Sequence, residues 1–227
     1  LRNAVSPSYR YKIKALRGRR ELSINFGSGG RGLEGWINLD AVARHRDIYI
    51  AYDMRRRLPF DDGSAIRILA EHVIEHLDFR DDVPRVFAEF HRVLQPGGVV
   101  RIIVPDAARY MEAYVSKSAG KFMELGWDLG KLPSDIHTPI HIVNHVFHQG
   151  GEHYFGWDFE TMEWALQRAG FREVIRQSYR VSRDEGLAID QPNHAPYSLY
   201  VEAVRGEEES SKPNIVAGSQ TNLSGCL

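Results

Sequence analysis

Residues 21–40 read ELSINFGSGGRGLEGWINLD. Leu22, Ile24 and Phe26 alternate as in a short buried strand, a turn crowded with Gly27, Gly29, Gly30 and Gly32 follows, and Trp36, Ile37 and Leu39 form a second strand closing on Asp40. Glycines directly after a buried strand let the backbone approach a ligand and offer N–H donors where a side chain would obstruct. A carboxylate at the end of the next strand is placed to accept hydrogen bonds from a ribose diol. The pairing points to a nucleoside-containing cofactor.

Downstream, DIYIAYD predicts a strand ending at Asp53, followed by a solvated turn of Arg55, Arg56 and Arg57. LPFDDGS (58–64) is a loop by its Pro, Asp and Gly content. AIRILAE then predicts a strand delivering Glu71 and His72 to its C-terminal end. Asp81 is expected to cap a helix with Pro84 in its first turn, burying Val83, Val86, Phe87, Phe90 and Leu94, and Gln95–Gly98 stops it. VVRIIVPD (99–106) is the continuous apolar run a central parallel strand needs. Such alternation argues for a parallel sheet with helices on both faces.

Residues 107–155 break the rhythm with a helix, then Gly, Pro and five histidines: His137, His141, His145, His148 and His153. An insertion after a central strand lies where open α/β sheets bind ligands, so it is expected to form a substrate lid. Asp158 is expected to cap a further helix that buries Phe159, Met162, Leu166 and Ala169 and stops at Gly170. Two strands, REVIRQSY and YSLYVEAV, follow, antiparallel and at the sheet edge.

At 227 residues, 43% hydrophobic and 26% charged, the chain suits one sizeable α/β core. A net charge of -1 gives no global reason to expect nucleic acid or an anionic membrane as partner. Residues 1–20 hold five Arg, two Lys and no acid, with Tyr9 and Tyr11 interleaved. An RNA-facing arm is one reading, and a solvated leader helix the plainer one. The lone Cys226 cannot form an internal disulfide and fits a cytoplasmic location. No apolar run reaches the roughly 20 residues of a membrane span.

Gly27, Gly29 and Gly32 also match G-x-G-x-x-G, but a dinucleotide site expects a helix and then an acid about 20 residues on. Asp40 lies 13 residues after Gly27, which counts against an NAD-dependent oxidoreductase. The chain instead resembles the class I S-adenosylmethionine-dependent methyltransferases, specifically the type 11 branch and its members associated with polysaccharide biosynthesis. INFGSGG, WINLD, YDMRRRLPFDDGS, LAEHVIEHL with FHRVLQPGGVVRIIVPD, and GGEHYFGWDFETMEWALQRAGF carry the resemblance. Asn25 and Arg31 depart from its pattern, standing where an acid and a third glycine are usual.

The resemblance implies a Rossmann-like three-layer sandwich: a mostly parallel seven-stranded sheet, an antiparallel strand near the edge and an inserted lid. It implies S-adenosyl-L-methionine as cofactor, with Gly27, Ser28 and Gly29 against its methionine part and Asp40 on the ribose. Asp53 and Met54 would frame the adenine, and Glu71 and His72 would close the pocket. The expected domains are a basic leader (1–20), a methyltransferase domain (21–205, lid 107–155) and a disordered tail (206–227).

Methyl transfer to a hydroxyl needs a base, and histidine titrates near neutral pH. His153 is the first candidate and His145 the second, while His76 reads as a structural partner in its turn. His137, His141, His145 and His148 have spacings that suit a metal, but Pro139 interrupts them and acidic ligands are sparse, so no metal is assigned. The expected acceptor is a saccharide or other small molecule, with nucleic acid disfavoured and a homodimer compatible. A methyltransferase-like module without catalysis is the remaining alternative.

Overall fold

A computed structural model describes residues 7–42 and 50–207. Residues 1–6 of the leader, the start of the DIYIAYD strand and residues 208–227, with Cys226, lie outside the described residues. The elements run α1 (Pro7–Leu16), β1 (Leu22–Phe26), β2 (Ile37–Asp40), β3 (Ile50–Ala51), β4 (Ala65–Glu71), α2 (Val83–Val93) and β5 (Leu94–Pro105). Then come α3 (Ala107–Val115), α4 (Ala119–Glu124), α5 (Pro139–His148), α6 (Phe159–Arg168), β6 (Glu173–Gln177) and β7 (Ser198–Val204).

The seven strands form one sheet in the order β3-β2-β1-β4-β5-β7-β6. The first five pair in parallel, and β7 runs antiparallel between β5 and β6. Of the two closing strands, β6 is therefore at the edge, and β7, also expected there, is interior. Its burial explains why YSLYVEAV is apolar along most of its length.

Side chains alternate across each strand. Ile24, Phe26, Ile68, Ala70, Val100, Ile102, Val104, Leu199 and Val201 face the main apolar core, which α2 and α6 close with Val86, Phe87, Phe90, Met162 and Leu166. Leu16 of α1 is buried in the same core, so part of the basic leader is docked rather than solvated. The opposite face is covered by the segment between β6 and β7, which carries two short 3-10 turns, Glu185–Leu187 and Pro192–His194. Leu187 and Ile189 pack there on Leu33, Trp36, Leu69, Ile103 and Tyr200. The ten residues linking β1 to β2 are too short and glycine-rich to supply a helix, and the β6–β7 segment fills the space.

Asp158 caps α6, its carboxylate accepting the Thr161 N–H at 2.9 Å, and Gly170 ends it at φ +102°. Asp81 does not cap α2. Asp82 holds the N-cap position, and Asp78 accepts the N–H groups of Arg80 and Asp81 at 2.8 and 2.7 Å. The helix thus begins one residue later than the sequence reading indicates. The inserted lid is a helical lobe with its own small core of Tyr110, Ala113, Phe122, Leu125, Ile136, Ile142 and Val146. Asp106 ties that lobe to the sheet: it caps α3 through the Arg109 N–H and pairs with Arg176 at 2.8 Å.

Candidate active site

The glycine turn crosses the top of β1 with Gly27 at φ +71°. A Cβ there would lie 2.4 Å from Val73 Cγ2, so glycine is required by both backbone and packing. This contact sets the turn against the residues that follow β4. Gly29 (φ +52°) faces open space and donates its N–H to Asp40 at 2.8 Å. Asp40 also accepts the Val42 N–H, and its side chain remains half-exposed at the end of β2. The buried Ser28 hydroxyl has no protein partner.

Asn25 and Arg31 both have structural work. Asn25 donates to Asn38 Oδ1 and to the Arg31 carbonyl, each at 2.9 Å, which fixes the turn without an acid. Arg31 reaches across to Glu71 at 2.8 Å and to the Ile189 carbonyl. Glu71 also accepts from the Gln191 N–H (2.9 Å) and His194 Nδ1 (3.1 Å). Burial would raise its pKa, but those hydrogen bonds and the Arg31 charge outweigh burial and leave it lowered. Asp53 is held below its usual pKa by hydrogen bonding to the Arg55 guanidinium, and Met54 is packed in the main core.

His72 has a left-handed backbone (φ +50°), packs its ring at a tilt against His194 with centroids 4.0 Å apart, and contacts Ser198 Oγ at 2.8 Å through Nε2. Its Nδ1 lies 3.1 Å from Glu75 Oε1. Glu75 is 1% exposed, and neither of its carboxylate oxygens has a hydrogen-bond partner. Beside it stand His76 and His153, whose rings meet edge-on at 4.7 Å. His153 Nδ1 approaches the Val146 carbonyl at 2.6 Å, and His76 Nδ1 the Glu152 carbonyl at 2.9 Å. A carbonyl only accepts, so each Nδ1 carries a proton, and Nε2 is the nitrogen left to present a lone pair. Burial pushes the His153 pKa below the ordinary histidine value.

Of the two candidate bases, only His153 joins this cluster. His145 lies exposed on α5 with its ring edge-on to Trp127. The spaced histidines of the lid do not converge. His137 precedes α5, and His141, His145 and His148 are exposed along it. Glu75 is the residue that sequence reading missed. Its signal was the doubled Glu-His pair of LAEHVIEHL, four residues apart, which places the second pair on the turn after β4.

The open Gly29 face, the unpartnered Ser28 hydroxyl and the half-exposed Asp40 fit the methionine and ribose parts of S-adenosylmethionine. Among the described residues no helix is long and apolar enough to cross a membrane.

The family described as Methyltransferase domain matches residues 36–102, under a third of the chain, from the second strand into β5. No curated protein matches. Among solved structures, a SAM-dependent methyltransferase from Archaeoglobus fulgidus is 15% identical with a TM-score of 0.49, covering 90% of this chain and 94% of that one. A possible histamine N-methyltransferase from Thermotoga maritima is 17% identical with a TM-score of 0.46, covering 87% and 89%. The YcgJ protein of Bacillus subtilis is 14% identical with a TM-score of 0.46, covering 88% and 99%. Residues 36–102 thus match the methyltransferase domain family, and the strand order is that of a class I Rossmann-like methyltransferase fold.

Proposed function

We propose that the enzyme methylates a hydroxyl of a saccharide or saccharide-containing acceptor, with His153 as the base. The observation that carries this reading is the Gly27–Val73 contact, which puts the cofactor turn beside the turn bearing His72, Glu75 and His76 and facing His153. When bound, the cofactor supplies an electrophilic methyl group on a sulfonium. The backbone of Gly27–Gly29 and the Ser28 hydroxyl hold its methionine part, Asp40 its ribose and Asp53 its adenine side.

His153 suits proton removal because its ring is neutral at neutral pH and its free Nε2 is oriented by the Val146 carbonyl. His145, on the exposed side of α5, has no comparable fixed geometry and is the weaker candidate. Tyr154, next in sequence, is exposed, and Phe79, Phe155 and Trp164 form a stacked aromatic ledge nearby. Such faces suit the C–H surfaces of sugars, which favours a carbohydrate acceptor.

The test is transfer of a labelled methyl group from S-adenosylmethionine to a panel of saccharides and nucleoside-linked sugars, with the methylated atom located by mass spectrometry. An O-methylated sugar, with an acidic limb below the ordinary histidine pKa that disappears in His153→Gln, is expected. Methylation confined to nitrogen or RNA, or binding of S-adenosylhomocysteine without transfer to any sugar, sinks the reading.

A further inference from the structure

The strongest uncommitted feature of the molecule is the cluster of Glu75, His76 and His153. Its three donor atoms lie within 4.8 Å of one another. Both histidines donate Nδ1–H to backbone carbonyls, the outer-shell arrangement that fixes tautomer and ring orientation in metal-ligating histidines. Both Nε2 lone pairs are thereby turned away from those carbonyls. The third member is a carboxylate 1% exposed with no hydrogen-bond partner, a costly state unless something cationic completes it.

His72 Nδ1 is 3.1 Å from Oε1 of that carboxylate, yet makes no hydrogen bond to it. That contact leaves Oε2 unanswered. Two imidazoles and one carboxylate form a set suited to a first-row transition ion, whereas magnesium favours all-oxygen surroundings. Ligand bonds of about 2.0–2.2 Å require the three donor atoms to draw together from their present spread. Half-buried His76 leaves one side of the cluster open to solvent.

We propose that Glu75, His76 and His153 bind one divalent first-row transition-metal ion, with coordination positions left open toward the acceptor. Its role there rests on the methyltransferase reading. An acceptor hydroxyl at an open position would be made more acidic by the metal and give its proton to solvent water, and His153, the base of the metal-free enzyme, would then hold the metal. The metal site itself does not depend on that role.

The experiment uses the full chain, stripped with chelator and titrated with Co2+, followed by visible absorption and by metal content after dialysis. One Co2+ per chain with ligand-field bands is expected. His76→Ala and His153→Ala are each expected to weaken binding at least tenfold, while His141→Ala and His148→Ala leave it unchanged. His76 is half-exposed, so its variant decides the matter even where His153→Ala or Glu75→Gln does not fold. Binding of S-adenosylhomocysteine serves as the fold check.

No stoichiometric Co2+ in the wild type, or binding lost with the α5 variants and kept in His76→Ala, overturns the site. Co2+ bound without methyl transfer to any acceptor overturns the proposed function and keeps the metal. Turnover that survives complete chelation overturns the metal's role and returns His153 to the part of base.

Discussion

Along β5, Val100, Ile102 and Val104 enter an apolar core closed by α2 and α6, while Arg101, one residue away, enters the opposite face and is fully buried among charges. Its guanidinium pairs with Asp190 at 2.6 Å and Glu202 at 2.8 Å and donates to the carbonyls of Ser178 and Val181. Asp190 and Glu202 in turn accept the N–H groups of Arg180 and Arg183. One face is thus covered by helices that satisfy their own backbone, and the other by an irregular segment whose backbone is satisfied by buried ionic side chains. A loop can replace a helical layer when the sheet beneath supplies the missing hydrogen bonds.

Arg101→Met tests that contrast most severely. It strands two buried carboxylates and is expected to cost about 3–5 kcal/mol by denaturant unfolding. Ile102→Ala, on the helical face, is expected to cost about 2–5 kcal/mol through its cavity. Hydrogen exchange separates the two, rising first in residues 178–191 for Arg101→Met and across α2 and α6 for Ile102→Ala. If Arg101→Met unfolds like wild type, the ionic face is ornamental.

Gly27→Ala is expected to rank next. A left-handed backbone costs about 1–2 kcal/mol for a non-glycine residue, and overpacking against Val73 adds about 1–3 kcal/mol. Calorimetric titration with S-adenosylhomocysteine should show at least a tenfold loss, partly restored by Val73→Ala. Gly29→Ala faces open space and should lose only the backbone term.

A pH series sharpens the comparison further. Because the folded pKa of Glu71 lies below the ordinary glutamate value, its contribution is complete above that ordinary value and is lost as pH falls through the folded pKa. Hydrogen exchange at Gln191–His194 should therefore accelerate in acid before the helical face responds, and Glu71→Gln should remove that difference. Equal acid response of both faces contradicts the assignment. The smallest effect is expected for Arg55→Ala, whose pair with Asp53 is exposed, with thermal unfolding moved by no more than about 1 kcal/mol.

These contrasts also show what sequence could reveal. The glycine turn, β4, the start and end of α6 and the antiparallel closing strand were legible because each is written in local periodicity or a local cap. Asn25 and Arg31 were legible only as departures. Their partners Asn38 and Glu71 lie 13 and 40 residues away. Arg101 was read inside an apolar run because its counter-charges come from the β6–β7 segment and from β7, 89 and 101 residues on. The lid histidines misdirected attention from Glu75 for the same reason. Spacing along a helix reports a shared face, whereas the cluster is assembled by a turn and a distant loop.

The interior position of β7 has a consequence for synthesis. On a ribosome, β1 to β5 emerge and can pair while Arg101 still lacks Asp190 and Glu202, and Glu71 has Arg31 but not the Gln191 and His194 donors. Strand β6 has no hydrogen-bonded place in the sheet until Ser198–Val204 follows and slides between it and β5. The nascent chain therefore carries one finished, greasy side and one raw, charged side for most of its elongation. Strand β7 thus completes the sheet and, through Glu202, the ionic face together.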